Sequence, residues 1–308
     1  MMELIKNSKI DFVGKRYIAF IISGILSLLG IIAIIQIGLG NANLGVDFAG
    51  GTLVEIRFDK PVELSDIRGI LAAKDMHDVE LQEIGEDRRI LIRTRKSDIG
   101  NLTTKIGDIF KESFGTKNPF KIERTEEVGP KIGAELKGKA LWAVFWAIIA
   151  LMLYITVRFK QPRFGVGAAV ATAHDVLAAT GIYWVCNREV NLLLITALLT
   201  LAGYSLTDTV VVFDRIRENL RLRRKEAYDV IINSSINEVL SRTIVTSLTV
   251  LIVLAALLIK GSQVTFDFCW ILILGVIIGT YSSIFVASPI LIEWDKLMVK
   301  KIRVAKKP

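Results

Sequence analysis

Six long apolar runs constrain this chain more than any other feature of its sequence. A hydrocarbon core about 30 Å thick is crossed by about 20 helical residues, and 52% of the 308 residues are hydrophobic. The runs cover residues 17–37, 140–158, 164–186, 191–213, 243–260 and 267–292. The sequence therefore predicts a polytopic α-helical membrane protein with six transmembrane helices.

Basic residues set the expected orientation. Twenty of them flank the span ends that share one side, whereas only Arg188 and Lys260 occupy the two short loops opposite. Because cytoplasmic flanks are rich in Lys and Arg, we expect both termini in the cytoplasm of a multi-pass cytoplasmic (inner) membrane protein. The first run has no small-residue cleavage site after it, so we interpret it as an uncleaved anchor. The net charge of +8 belongs to these flanks and requires no nucleic acid.

The segment 38–139 has the pattern of a small soluble domain outside the cytoplasm. It is nearly neutral, with 17 basic and 18 acidic residues. Alternating and helical apolar spacings, a turn at Glu86-Asp87 and a second helix from Ile99 to Phe110 give the order βαββαβ, which indicates a ferredoxin-like α+β fold. The remaining parts would be residues 1–37 (cytoplasmic N-terminus and first helix), 140–295 (a five-helix bundle with a cytoplasmic amphipathic segment, 214–242) and 296–308 (a basic cytoplasmic tail).

Glycine motifs mark both ends of this domain. Asp47 precedes the pair Gly50-Gly51 just after the first span, and Gly129-Pro130 marks the return to the membrane. A glycine pair can cradle phosphate, but a phosphate loop is followed by a helix and here a strand is expected. We therefore interpret both motifs as tight junctions and hinges.

Asp208 is the first candidate for function, because it lies inside the fourth apolar run. A carboxyl group at that depth is costly unless it is neutral, paired or hydrated, and such groups often mark proton or ion paths. The alternative is an aspartate near the membrane surface that reaches the headgroups or caps the helix. Ser205, Thr209 and Asp214 are supporting polar residues of the same stretch.

His174 and Asp175 form a second candidate, near the middle of the third span. A structural pair that hydrogen-bonds a neighbouring helix and a proton carrier are nearly equal alternatives. A metal site would need more ligands than one His, one Asp and the distant His77, so we expect no metal.

Arg242 opens the fifth span, at a depth comparable to that of Asp208, and Thr246 and Thr249 continue its polar stripe. A carboxyl group that alternates between desolvation and an opposite charge can load and release a proton. The alternative is a fixed ion pair that specifies packing. The small residues Ala202, Gly203, Ser205, Gly275 and Gly279 should allow close helix approach.

Two further features are less specific. Residues 216–240 mix apolar and charged residues, which predicts one or two short amphipathic helices at the cytoplasmic surface, either as a solvated loop or as a coupling element. Cys186 and Cys269 lack ligand or redox spacing. A bond between them is conceivable, but we expect two free buried thiols.

Taken together, the motifs resemble those of the SecD/SecF family of protein-export membrane proteins. The resemblance spans essentially the whole chain, and the stretch around Asp208 is its most specific part. One departure is Thr207, where the family often has Asn. The matching stretches are Gly45–Gly51, Val128–Pro130 with Gly133 and Glu135-Leu136, Gly203–Asn219, Ser241–Thr243 and Thr246-Ser247.

The resemblance implies a non-enzymatic half-unit of the resistance-nodulation-division type, without a cofactor or a catalytic residue. It implies a complex with SecD and the SecYEG translocon that uses the proton gradient to draw a preprotein across the bilayer. Asp208 would be the proton-path aspartate and Arg242 its paired arginine. A small-solute or lipid exporter of the same superfamily and a passive translocon assembly subunit are the alternatives.

Overall fold

The computed structural model describes residues 8–76, 79–84, 88–94, 102–115, 117–260 and 263–305. His77, the turn at Glu86-Asp87, Ile99 and the last residues of the basic tail lie outside these ranges. The described chain forms two compact units. One comprises residues 43–141 together with 189–192, and the other comprises the remaining helices.

The first unit contains the predicted ferredoxin-like domain. Its sheet has the order β2-β3-β1-β4, and each neighbouring pair is antiparallel. Its elements are α2 (Val46–Ala49), β1 (Gly51–Phe58), α3 (Leu64–Ala72), β2 (Val79–Ile84), β3 (Arg89–Thr94), α4 (Leu102–Ser113) and β4 (Phe120–Val128).

Apolar side chains of β1, β3 and the two longer helices form the core of this domain. Val54 and Ile56 of the central strand are fully buried and pack with Ile67 of α3 and Ile106 of α4. Phe58 lies beside Phe110, with ring centroids 5.8 Å apart. The helices therefore cover one face of the sheet, as the sequence pattern predicted.

The second unit is a helical bundle that contains the six predicted spans. The helix α5 begins in the domain unit and continues into the bundle. The helices are α1 (Arg16–Leu39), α5 (Pro130–Phe159), α6 (Pro162–Val185), α7 (Leu192–Leu222), α8 (Tyr228–Lys260), α9 (Gln263–Ser282), a π-helical turn (Ser283–Ala287) and α10 (Ser288–Ala305).

Burial divides these helices into two groups. The apolar cores of α6, α7 and the α9–α10 span are largely buried, whereas α1, α5 and α8 expose most of theirs. Glycines permit the closest packing: a Cβ atom at Gly30 of α1 would lie 2.2 Å from the Leu177 carbonyl of α6, and one at Gly181 would lie 2.7 Å from the Gly30 nitrogen. The backbones of α1 and α6 therefore touch.

The prediction of short surface helices between residues 216 and 240 was wrong. Instead α7 continues to Leu222 and α8 starts at Tyr228, so both membrane helices are simply longer than their apolar runs. Ile216, Ile232 and Ile236 are fully buried in the bundle core. Their burial explains the apolar residues that the amphipathic interpretation assigned to a surface.

Asparagine side chains at the start of α8 hold the N-terminal segment. The Asn233 carboxamide oxygen accepts hydrogen bonds from the backbone of Phe12 (2.9 Å) and Val13 (3.2 Å). Asn237 accepts one from the Ile10 amide at 3.0 Å and donates one to its carbonyl at 2.9 Å. The segment before α1 is thus paired with the bundle.

Both cysteines are free thiols, as expected. Cys269 is buried, but Cys186 is exposed, so the expectation that both are buried was wrong for one of them. Cys186 follows the last residue of α6, where the chain leaves the bundle core.

Candidate functional site: two buried carboxyl groups

Asp175 of α6 is completely buried and is hydrogen-bonded from three directions. The hydroxyls of Ser205 on α7 and Ser282 on α9 both donate to Oδ2, the latter at 2.7 Å. The Nδ1 atom of His174 lies 2.9 Å from Oδ1. This carboxyl group therefore joins three helices through well-formed polar contacts.

Two sequence features bring α9 to this position. Gly279 lies against Ser205, since a Cβ atom on this glycine would be 3.0 Å from the Ser205 Cβ. Gly275 contacts the Leu201 side chain in the same way, which confirms both glycines as sites of close approach. Gly203, by contrast, is exposed and has no atom near its Cβ position, so that part of the prediction was wrong.

A π-helical turn begins directly after Ser282. Proline has no N–H, and its ring crowds the carbonyl four residues earlier, so Pro289 interrupts regular α-helical bonding to Phe285. The Ser288 hydroxyl donates to the Ser283 carbonyl at 2.8 Å and satisfies one of the altered backbone groups. Such turns often occur at functional sites.

Asp208 of α7 is also buried, with 5% of its surface exposed, but it has far fewer contacts. The Ser247 hydroxyl of α8 donates a hydrogen bond to the Asp208 carboxyl group at the long distance of 3.4 Å. The same hydroxyl lies 2.6 Å from the Thr280 hydroxyl of α9. Asp208 thus lies at the junction of α7, α8 and α9.

Thr246 is a second hydroxyl neighbour of this carboxyl group. Its hydroxyl donates to the backbone carbonyls of Arg242 (3.1 Å) and Thr243 (2.9 Å). One hydroxyl has one proton, so Thr246 is satisfied within its own helix and is not a committed donor to Asp208.

The expected ion pair between Asp208 and Arg242 is not formed in the described structure. Arg242 is exposed, and within the described residues none of its side-chain nitrogens lies within 4.0 Å of the Asp208 carboxyl oxygens. Its charge therefore acts on the carboxyl group only at longer range. By contrast, Thr243 and Ser247 of the same helix are buried. Rotation about the helix axis separates residues that depth alone would place together.

The other predicted polar residues separate into two groups. Thr209, the residue that follows Asp208 on α7, is buried. Asp214 is half-exposed and lies 3.4 Å from Arg158, so it belongs to the surface. Thr249 is exposed, and its hydroxyl donates to the Thr246 carbonyl at 2.7 Å. Neither Asp214 nor Thr249 joins the buried carboxyl groups.

The glycine motifs form a compact junction within the domain unit. Gly50 has φ +73°, and a Cβ atom there would lie 2.7 Å from the Pro130 Cα atom. Gly51 has φ +126° and opens β1. Gly129 directly precedes Pro130, the first residue of α5. The two motifs therefore meet, and a side chain larger than hydrogen at Gly50 would be both strained and crowded.

Asp47 has a role that the sequence did not indicate. Its carboxylate accepts a hydrogen bond from the Leu192 amide at 2.8 Å, and Leu192 is the first residue of α7. A negative charge at a helix N-terminus satisfies a free N–H group and interacts favourably with the helix dipole. Asp47 thus caps the first residue of α7, which lies in the same unit.

Sequence reasoning did not single out four polar residues of the bundle as site candidates: Tyr204, Thr243, Thr280 and Ser282. The run Thr280–Ser283 inside an apolar span was the available signal. Within the described residues, His174 Nε2, the Tyr204 hydroxyl and the Thr243 hydroxyl are buried without a hydrogen-bond partner. Buried polar groups are normally paired, so these atoms are exceptions within the bundle. Among the described residues no group of three or more His, Cys, Asp or Glu side chains could hold a metal ion.

Comparisons with known proteins agree on one family. Residues 108–297 match the family described as "Protein export membrane protein SecD/SecF, C-terminal", and residues 42–62 match the "SecD/SecF GG Motif". The chain is 50% identical to "Protein translocase subunit SecF" of Thermodesulfovibrio yellowstonii over 96% of this chain and 98% of that protein. It is 42% identical to the protein of the same name from Calditerrivibrio nitroreducens, over 93% of this chain and 95% of the other.

A solved structure, "SecDF, a translocon-associated membrane protein" from Thermus thermophilus, is similar over 94% of this chain. The TM-score is 0.80 and the sequence identity is 34%. This chain spans only 39% of the length of that protein. A second structure, of SecDF in a "Super-membrane-facing form", gives a TM-score of 0.69 at 33% identity over 100% of this chain and 41% of the other.

Proposed function

Because this chain belongs to the SecD/SecF family of protein-export membrane proteins, we propose that it is a subunit of the Sec preprotein translocation machinery. It works with SecD in the cytoplasmic membrane, with both termini in the cytoplasm, and uses the proton gradient to promote export. Support comes from relatives named "Protein translocase subunit SecF" that match over nearly their whole length. The solved SecDF chains are more than twice as long, which leaves room for a SecD part.

Exposed apolar surface supports a partner within the membrane. Only 11% of the most apolar 18-residue stretch of α5 is buried, and only 17% of that of α8. Such exposed apolar faces contact lipid or another helical subunit. We assign these faces to the lipid bilayer and to SecD, and we include the SecYEG translocon and the moving preprotein as further partners of the complex.

The single observation that carries the mechanism is the sparse bonding of Asp208 at the junction of three helices. Protonation of this carboxyl group removes its attraction to Arg242 and turns it into a donor toward Ser247 or Thr280. Either change alters which packing of α7 against α8 and α9 is preferred. One charge that crosses the whole membrane potential provides about 2.3 kcal/mol per 100 mV, which is sufficient to bias two packings of similar free energy.

The hydrogen bond between Asp47 and Leu192 could transmit a change in the packing of α7 to the domain. The domain unit caps the first residue of α7, and Asp208 and Ser205 belong to the same helix. A shift of α7 would therefore pull on the domain, while the junctions at Gly50-Gly51 and Gly129-Pro130 would act as hinges. Of the two alternatives for His174 and Asp175, we propose the structural one: a polar pair that holds α6, α7 and α9 together.

The decisive experiment follows export of a secreted preprotein into membrane vesicles with and without an imposed proton gradient. Asp208→Asn removes the titrating group with little change in volume, and the gradient-dependent part of export should be lost. Asp214→Asn is the matched control, because it removes an exposed acid from the same helix and should leave the gradient effect intact.

The outcomes separate the alternatives. Gradient-dependent export by an Asp208→Asn variant that still assembles would contradict the proton role and favour a passive assembly subunit. Normal preprotein export combined with altered efflux of small solutes or lipids would favour an exporter of the same superfamily. Loss of export with and without the gradient would indicate failed assembly, which co-purification with SecD would reveal.

A further inference from the structure

A basic pocket lies where α5, α6 and the end of α7 meet, away from the buried carboxyl groups. It has a volume of about 410 Å³. Lys160 occupies the turn between α5 and α6, Arg163 the first turn of α6, and Arg217 and Arg221 the last turns of α7. Four cations thus surround one concavity at the ends of three membrane-spanning helices.

These four cations share one pocket and have no carboxylate partner among the described residues. Within the described part of the chain, no acidic oxygen lies within 4.0 Å of their side-chain nitrogens. Several other arginines of the bundle do have an acidic partner: Arg16 pairs with Glu293, Arg158 with Asp214, and both Arg215 and Arg223 with Glu238. The pocket therefore concentrates uncompensated positive charge.

Aromatic rings hold two of the guanidinium groups in place. Arg163 lies over the Phe164 ring at 5.3 Å and Arg217 over the Phe159 ring at 5.8 Å. Both rings are fully buried and stack on each other with centroids 5.0 Å apart. Arg163 is fixed further by Gln161 at 2.7 Å and the Tyr228 hydroxyl at 3.3 Å. A rigid base thus positions the donors before any ligand arrives.

Lys160 has an unfavourable backbone conformation for its residue type. Its φ is +56°, directly after the last residue of α5. Glycine is the usual residue at a left-handed helix end because a Cβ atom is disfavoured there. A lysine that tolerates this strain is consistent with a need for its side chain at the pocket mouth.

We propose that this pocket binds the phosphate of an anionic phospholipid headgroup. Its position at the ends of three spans is the depth of the headgroup layer, and basic pockets between membrane helices bind such headgroups. Arginine forks also suit the geometry of phosphate oxygens. The uncompensated charge disfavours zwitterionic lipids, whose own cation would be repelled.

The test measures phosphatidylglycerol binding to the purified full chain in detergent by native mass spectrometry, with phosphatidylcholine for comparison. Arg217→Gln with Arg221→Gln should weaken phosphatidylglycerol binding by on the order of tenfold. Arg224→Gln with Lys225→Gln is the matched control, because it removes the same charge from exposed positions just beyond α7. It should bind as the unchanged chain does.

A third variant, Lys160→Gly, separates binding from folding. Glycine relieves the left-handed backbone, so thermal stability should be unchanged or higher, while phosphatidylglycerol binding falls. Equal losses in the pocket variant and the matched control would overturn the proposal in favour of diffuse surface attraction. Displacement of the lipid by millimolar inorganic phosphate, or equal binding of phosphatidylcholine, would also overturn it.

Discussion

Asp175 and Asp208 are both buried carboxyl groups of one helical bundle, yet their surroundings differ. Asp175 accepts hydrogen bonds from Ser205 and Ser282 and contacts His174. Asp208 accepts one long hydrogen bond, from Ser247, and has the Thr246 hydroxyl as a second neighbour. A carboxyl group with many donors fixes the helices that supply them, whereas one with few donors can change its charge or its partner at smaller structural cost.

The difference teaches that burial alone does not identify a proton carrier. Both residues are buried acids of the kind that often marks function in a membrane protein, but their hydrogen-bond contacts differ. We therefore assign Asp175 chiefly to holding α6, α7 and α9 together, and Asp208 to the response itself.

The largest expected effect is on the free energy of unfolding, and it tests whether Asp175 and Asp208 differ in their structural role. Asp175→Ala should lower the free energy of unfolding by about 3 kcal/mol, since three groups lose their acceptor at about 1 kcal/mol each. Asp208→Ala should cost about 1 kcal/mol or less, in line with single polar contacts in membranes. Thermal unfolding of both variants in the same detergent measures the difference, and equal losses would remove the distinction between the two acids.

A pair of serine variants sharpens the comparison with a smaller expected change. Ser282→Ala should cost about 1 kcal/mol of stability and preserve the gradient-dependent part of export, because it affects only the structural acid. Ser247→Ala should cost about 0.6 kcal/mol but reduce the response to the gradient, because Asp208 loses its hydroxyl contact. Thermal unfolding and vesicle export together measure both effects. The reverse pattern would exchange the roles of the two acids.

Arg242 tests whether Asp208 needs a charge nearby or a bonded arginine. The structure shows a Coulombic neighbour without an ion pair, so a positive charge should suffice. Arg242→Lys should retain most of the gradient effect on export, whereas Arg242→Gln should reduce it, and neither should change stability by more than about 0.5 kcal/mol. If the lysine variant were as impaired as the glutamine variant, a specific arginine contact would be required during the cycle.

Asp47 is a third acid for comparison, because it caps a helix. Its replacement by Asn has the smallest expected effect on stability. Asn caps helices about as well as Asp, so Asp47→Asn should be nearly neutral, while Asp47→Ala should cost about 1 kcal/mol of stability. Thermal unfolding compares the two. A large effect of the asparagine variant on export alone would show that the charge, rather than the cap, connects the domain to α7.

The sequence predicted much of this fold because lipid and water impose simple periodicities. Apolar run length revealed six spans, and alternation around Val54 and Ile56 revealed the central strand of the domain. The extension of α7 and α8 beyond their apolar runs was not apparent, since buried Ile216 and Ile232 lie among charged residues and resemble an amphipathic surface.

The site was predicted less completely. The length of an apolar run indicates how deep a residue lies in the membrane, but not which way it faces around the helix axis. Asp208 and Asp175 were identified by their depth alone. The same reasoning paired Asp208 with Arg242, although a rotation of about 100° per residue turns Arg242 to the surface and Ser247 inward. Ser282 was missed because its position depends on the packing of α9 against Gly279 and on the π-helical turn, neither of which is apparent from a local pattern.

The backbone contact between Gly30 and Gly181 has a consequence for biogenesis. The two glycines are about 150 residues apart, and a ribosome that adds 5–20 residues per second needs roughly 10–30 s to make the intervening chain. During that interval the face of α1 that contains Gly30 cannot yet contact α6, so lipid tails or an insertion chaperone must cover it. The first helix to enter the membrane therefore waits for the third before it reaches its final neighbour.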